Sequence, residues 1–212
     1  MGIVAPTRVI ADTAALAAAL TTCAAEGAAA LPILCEAERM RLVAAAAGLS
    51  WRRARAVIGA GERQVYQDFE LAQQFPERGP YRETAALIDA AIAVAARQLS
   101  PNPLPEGFRF NDHILQRYAP GSRGITPHRD HLRYRGLVAL VVVAGDGRFC
   151  LCRERSGAGV REIPAKPGDL LLMRAPGFVF SSERPFHFLD RITVERLSFG
   201  LRWDTMPASR AN

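Results

Sequence analysis

From Pro105 onward the chain is a run of short β segments separated by Gly, Pro and Asp turns, with no helical period between them: FRFNDHILQRY, GLVALVVVA, GRFCLCRE, VREIPA, DLLLMRA and VERLSFGLRW. Strands that follow one another without crossover helices pair antiparallel, and this many of them suggest a sandwich or jelly roll. GDG at 145–147 carries a hairpin signal and KPGD at 166–169 a turn signal.

The first half has a different character. Asp12 is a good N-cap and Gly27 a good stop for TAALAAALTTCAAE, which predicts a helix over 13–26. EAERMRLVAAAAG predicts a second helix, with Met40, Val43 and Ala47 on one face and Gly48 as the stop. Ile88, Ile92, Ala95 and Leu99 recur at helical spacing over about 82–99, a pattern that Pro101 ends. Between these helices RQVYQDFELA alternates as one strand, with Val65, Gln67, Phe69 and Leu71 on a common face, and QQFPERGPYR after it reads as a loop. The expected fold class is therefore α+β, a jelly-roll core with N-terminal supporting helices. Residues 105–205 form the core, and 1–104 form a helical segment with a strand and a loop packed on it. No repeat or linker splits the 212 residues into independent domains, and this length buries a substantial core without cross-links.

Composition works mainly by exclusion. Cys23, Cys35, Cys150 and Cys152 show no CxxC spacing, which fits reduced thiols in a cytoplasmic protein. The Ala-rich start is interrupted by Asp12 and Glu26, so no span of about 18 uncharged apolar residues exists to enter a membrane. Met1-Gly2 lacks the Ser or Thr at position 6 of a myristoylation signal. Net charge is +6 and Lys166 is the only lysine. Such a balance suits phosphate-rich partners, yet without a run of basic residues it equally describes arginines spread over a surface.

The chemistry concentrates in QRYAPGSRGITPHRD. Side chains at i and i+2 of an extended segment share a face, so His128 and Asp130 converge while Arg129 and His131 turn away. His187, in RPFHFLD, stands near the last β segments, and a jelly roll can bring such distant residues together across its mouth. Two imidazoles and one carboxylate leave three positions open on a metal, the arrangement of non-haem Fe(II) oxygenases, although zinc and manganese accept the same donors. The opposing description is a hydrogen-bonded His-Asp pair in an exposed loop, with His187 on the surface. In VERLSFGLRWD, Arg196, Ser198, Gly200 and Arg202 share one face and Leu197, Phe199 and Leu201 the other. The arginines then meet solvent or point into a polar cavity.

Taken in order, QRYAPGSRGITPHRD, the PGDLLLM strand, His187 and R-x-S-x-x-x-R ending at Arg202 resemble the double-stranded β-helix core of the 2-oxoglutarate- and Fe(II)-dependent oxygenases. The resemblance covers about 108–203. It implies His128, Asp130 and His187 as iron ligands, and Arg196 on the distal carboxylate of 2-oxoglutarate, where a planar bidentate donor suits a planar acceptor. Ser198 adds a hydroxyl at the same end. Tyr118 and Arg202 resemble the tyrosine and second arginine of the alkylation-repair, AlkB-like branch, and Gln116 stands where that branch has asparagine. Fe(II), 2-oxoglutarate and O2 are the implied cofactors, with succinate and CO2 as products. The retained Asp130 implies hydroxylation, or demethylation through a hydroxylated product, rather than halogenation.

For the substrate, a small molecule or a side chain is the leading expectation, with His131, Arg133, Tyr134, Arg135 and Tyr66 as candidates to line the substrate side. The alternative is nucleic-acid demethylation, favoured by the basic charge, by arginines 123, 129, 133 and 135, and by Tyr66, Phe69 and Trp51 as stacking surfaces. Leu132 stands against it, in the place where the AlkB-like branch has a second acidic residue. A third class, a jelly-roll binding protein without catalysis, would show a broken triad or a missing cosubstrate arginine. Oligomeric state is not legible.

Overall fold

The computed structural model describes residues 11–206, so the Met1-Gly2 reading lies outside the described residues. Chain order gives α1 (Thr13–Glu26), β1 (Ala28–Pro32), α2 (Glu36–Ala46), β2 (Arg52–Arg53), β3 (Val57–Ile58), β4 (Val65–Asp68), β5 (Glu70–Ala72) and α3 (Pro80–Ala96). Then follow β6 (Asp112–Tyr118), β7 (Gly124–His128), β8 (Tyr134–Ala144), β9 (Arg148–Cys152), β10 (Arg161–Glu162), β11 (Asp169–Arg174), β12 (Phe186–Asp190) and β13 (Arg196–Asp204).

The strands form two antiparallel sheets facing each other, ordered β1-β11-β8-β13-β6-β5-β2 and β10-β9-β12-β7-β4-β3. The fold is α+β, a jelly roll with its helices on one outer face. Two apolar layers hold it together. Leu137, Ala139, Val141, Leu197, Phe199 and Leu201 pack outward against Leu16, Leu20, Ile88 and Ile92 of the helices. Val138, Leu171, Met173, Phe149, Leu151 and Leu189 fill the space between the sheets.

α1 has the predicted bounds: Asp12 Oδ1 accepts the Ala15 N–H at 2.7 Å, and Gly27 closes the helix in the left-handed region. α3 buries Ile88, Ile92 and Ala95, and Leu99 packs on the same cluster just past its end. α2 presents a different face from the one expected. Glu38, Leu42 and Ala46 are buried and Met40 is half exposed. The cause is polar: the Glu38 carboxylate accepts from Arg41 and from Thr84 of α3, each at 2.6 Å, which turns that edge of the helix inward.

Three β readings change. RQVYQDFELA is not one strand. It breaks at buried Phe69, so that β4 pairs with β7 in one sheet while β5 pairs with β6 in the other. GDG closes no hairpin, because β8 and β9 belong to opposite sheets. The Asp146 carboxylate accepts the backbone N–H groups of Thr193 and Val194, which fixes this corner to the loop before β13. AAALP, poor in β-formers, becomes β1 through five residues of pairing with β11. The four cysteines are free thiols, three of them buried.

Candidate active site

β7 and β12 are neighbours, and their register sets His128 directly opposite His187. A register shift between His187 and Leu189 accommodates Gly124, whose φ is +71° and whose added Cβ would stand 1.9 Å from the Leu189 carbonyl oxygen. β7 ends at His128, and the loop that follows returns Asp130 to the same point. One ligand atom from each of His128, Asp130 and His187 lies within 4.8 Å of the others.

The protonation pattern suits ligation. Nδ1–H of His128 donates to the Thr126 carbonyl at 2.9 Å and that of His187 to Pro185 at 3.3 Å, leaving each Nε2 lone pair free. Burial, reinforced by repulsion from His187, lowers the pKa of His128, and burial also lowers that of His187, so both rings are neutral. Burial alone would raise the Asp130 pKa, but the charges around it, Arg202 first and Arg184 with it, outweigh burial and keep the carboxylate ionised. Phe149 stacks on His187 with ring centroids 5.7 Å apart.

Behind the triad is a narrow inner chamber, walled by Gln116, Tyr118, Arg196, Ser198 and Arg202 with Ile125, Leu140 and Leu189. β13 thus turns its arginines into the cavity rather than to solvent. Arg196 is only 4% exposed, its Nε–H donates to Ser198 Oγ at 3.0 Å, and its buried Nη1 has no partner. Burial lowers its pKa, partly offset by Tyr118 and Asp146. Arg202 Nε is likewise buried without a partner, and an added Cβ on Gly200 would meet Arg202 Nη1 at 3.1 Å. The glycine in the strand makes room for that guanidinium. Buried guanidinium atoms without acceptors form a receptor for a carboxylate.

The chamber opens through His128, Asp130, Gln116, Ile125 and Arg202 into a wider outer mouth. Tyr134 lines this mouth under the Arg202 guanidinium, 5.3 Å from its ring centroid. His131, one of the substrate-side candidates, also lines it; β7 has ended at His128, so strand alternation no longer governs the loop. Arg133 does not reach the mouth: it pairs with buried Asp204 at 3.1 Å. Arg135 lies against Gly177, and Tyr66 projects to solvent while its neighbour Gln67 faces the mouth. Arg123 is exposed away from the mouth, Phe69 is core, and Trp51 is covered by Arg117 at 4.3 Å, so this stacking set is not presented together. Leu132, Ile58, Gln73 and Arg184 were not anticipated at the mouth. For Arg184 a signal existed, its position three residues before His187.

No helix of the described residues is long and apolar enough to cross a membrane. No family model matches the sequence, and no curated protein matches it either. Solved structures do. A prolyl-4-hydroxylase from Pseudomonas putida aligns at TM-score 0.59 and 19% identity over 89% of this chain and 98% of its own. A prolyl hydroxylase from Trichoplax adhaerens, in complex with a hypoxia inducible factor oxygen degradation domain peptide fragment, aligns at 0.63 and 15% over 91% and 90%. An oxidoreductase of the 2OG-Fe(II) oxygenase family from Burkholderia pseudomallei aligns at 0.61 and 15% over 89% and 90%. None of these three is described as a member of the AlkB-like branch. At such identities the likeness is one of fold, and the fold is that of the 2-oxoglutarate-Fe(II) oxygenase jelly roll.

Proposed function

We propose that the protein is a 2-oxoglutarate- and Fe(II)-dependent oxygenase that hydroxylates a C–H group of a small molecule or side chain. The observation that carries this is the adjacency of two arrangements. A histidine-aspartate-histidine cluster with converging ligand atoms sits at the neck of a chamber whose far wall holds a buried guanidinium with a free donor.

The residues fit the group. Two neutral imidazoles and one carboxylate suit Fe(II) and leave open positions. Bound together, Fe(II), 2-oxoglutarate and O2 supply oxidative decarboxylation to succinate and CO2 and the oxidation of a C–H bond. The chain contributes position and exclusion. Arg196 and Ser198 receive the distal carboxylate, and Tyr118 and Gln116 line the same wall as donors. Arg202, whose pKa rises because Asp130 and Tyr134, with Asp112 and Tyr118, outweigh its burial, spans the neck and supplies the charge that keeps Asp130 ionised. Ile125, Leu140, Phe149 and Leu189 keep the chamber apolar, which limits water at the reacting centre. Under this reading substrate enters through the mouth lined by Tyr134, His131 and Leu132.

The test is anaerobic titration of Fe(II) and 2-oxoglutarate into the protein, which is expected to give a weak visible charge-transfer band. Asp130→Ala is expected to lose both that band and succinate formation. A folded Asp130→Ala variant with unchanged band and turnover refutes the ligand assignment. A folded wild-type protein with no band favours a jelly-roll binding protein.

A further inference from the structure

Beside the mouth lies a second, open recess, which shares Arg129, Leu132 and Arg184 with it. Five arginines and two carboxylates line this recess. The carboxylates are taken: Glu26 pairs with Arg161 at 2.8 Å and Glu183 with Arg174. Arg129 and Arg153 form no ion pair with a carboxylate among the described residues, and Arg184 feels the Asp130 carboxylate without forming an ion pair with it. Three like charges around one concavity repel one another, a cost that an anion seated between them removes.

Arg129 and Arg153 are exposed, yet each lies against a neighbour. The Arg129 guanidinium lies over the Phe186 ring, 4.1 Å from its centroid, which leaves the N–H edges of its planar fork free. Arg153 lies where a side chain on Gly159 would be, since an added Cβ there would stand 2.2 Å from its Nε. Arg184 donates through Nη1 to the Asp130 carbonyl. Arg174, on the recess wall, keeps a buried Nε without a partner. Arg129 sits between two metal ligands in sequence and Arg184 is bonded to one of them, so the recess is mechanically joined to the metal loop.

We infer that this recess is an oxyanion subsite that anchors a carboxylate or phosphate group of the substrate while another part of it reaches the metal through the shared mouth. The inference rests on the oxygenase reading above and deepens it by assigning the substrate a remote anionic group.

The probes are inorganic phosphate, followed by 31P line broadening, and acetate, followed by 1H saturation transfer. Both are applied to the full chain loaded with diamagnetic Zn(II) and saturating 2-oxoglutarate, so that the inner chamber is filled. Saturable binding of at least one anion is expected. Arg153→Gln and Arg129→Gln, both exposed side chains, are each expected to weaken it roughly tenfold, as loss of one charge-assisted contact does. The anion that binds more tightly identifies the group as phosphate or carboxylate. Binding that 2-oxoglutarate displaces, binding indifferent to both variants, or no binding of either anion overturns the inference. Failure of the oxygenase reading shows separately in the same samples, as failure of the chain to bind Zn(II) and 2-oxoglutarate at all.

Discussion

Arg196→Met separates stability from binding in opposite directions. In the ligand-free protein the guanidinium is 4% exposed and its Nη1 has no acceptor, while its Nε–H bonds Ser198 at 3.0 Å. An unsatisfied buried group costs about 1–3 kcal/mol and an ordinary hydrogen bond contributes about 1 kcal/mol. Methionine keeps an apolar stem of similar reach, so the exchange is expected to stabilise the ligand-free protein by roughly 1 kcal/mol. For a chain of this size that raises Tm by about 2–4 °C. With Mn(II) present and 2-oxoglutarate at about a hundred times its Kd, the wild type gains about 2.7 kcal/mol, or roughly 5–10 °C, and the variant gains little. The melting curves should therefore cross: the variant is higher without 2-oxoglutarate and lower with it. Scanning fluorimetry with and without the cosubstrate reads this directly. A variant that melts below the wild type without ligand, or that keeps the full ligand-induced shift, refutes the reasoning.

Gly124→Ala places a Cβ 1.9 Å from backbone at a φ of +71°, which is expected to destabilise the chain by about 3 kcal/mol or more and to part His128 from His187. Urea unfolding and Zn(II) titration check the two effects. Burial raises the Cys23 thiol to about 12, so between about pH 8.5 and 12 the unfolded state binds fewer protons than the folded one. Stability is therefore expected to fall above about pH 8.5, by up to about 1.4 kcal/mol per pH unit from Cys23 and by more once Cys150 and Cys152 are added, since burial raises their thiols too; Cys23→Ala is expected to make the fall shallower without moving its onset. Urea midpoints from pH 7 to 10 under reducing conditions measure it.

Strand β13 was the most legible part of the site, because period-two alternation is a local property and placed Arg196, Ser198 and Arg202 on one face without knowledge of what lay opposite. His187 was legible through its place in the order of motifs that resembles the oxygenases, not from its own surroundings in the sequence. What alternation could not supply was its own limit. His131 sits at the mouth because β7 stops at His128, and RQVYQDFELA alternates well yet changes sheet at Phe69. At His131 the strand has ended and its period with it, whereas at Phe69 tertiary pairing overrides the local period. Arg133 and Arg135 carried the right chemistry but were drawn elsewhere, to Asp204 and to the Gly177 turn. Glu38 was invisible as a core residue because its burial depends on partners in two helices.

The helices bear on why such a site is affordable. β8 reads LVALVVVA, apolar at successive positions, because its outward residues meet the helices and its inward residues meet the other sheet. β13 has the same two neighbours but gives its inner face to charged and polar groups, so its outer face alone, through Leu197, Phe199 and Leu201, contributes apolar burial. The stability that offsets the buried guanidinium groups then comes from the helical layer. Ile92, fully buried on α3, is a test: Ile92→Ala is expected to lower unfolding free energy by about 2–4 kcal/mol. Its contacts lie on the far side of the sheet from the triad, so metal and 2-oxoglutarate affinities of the folded variant should stay within about twofold of wild type. Parallel loss of stability and metal affinity in titrations well below the melting temperature would show instead that the helical layer positions the ligands as well as supporting them.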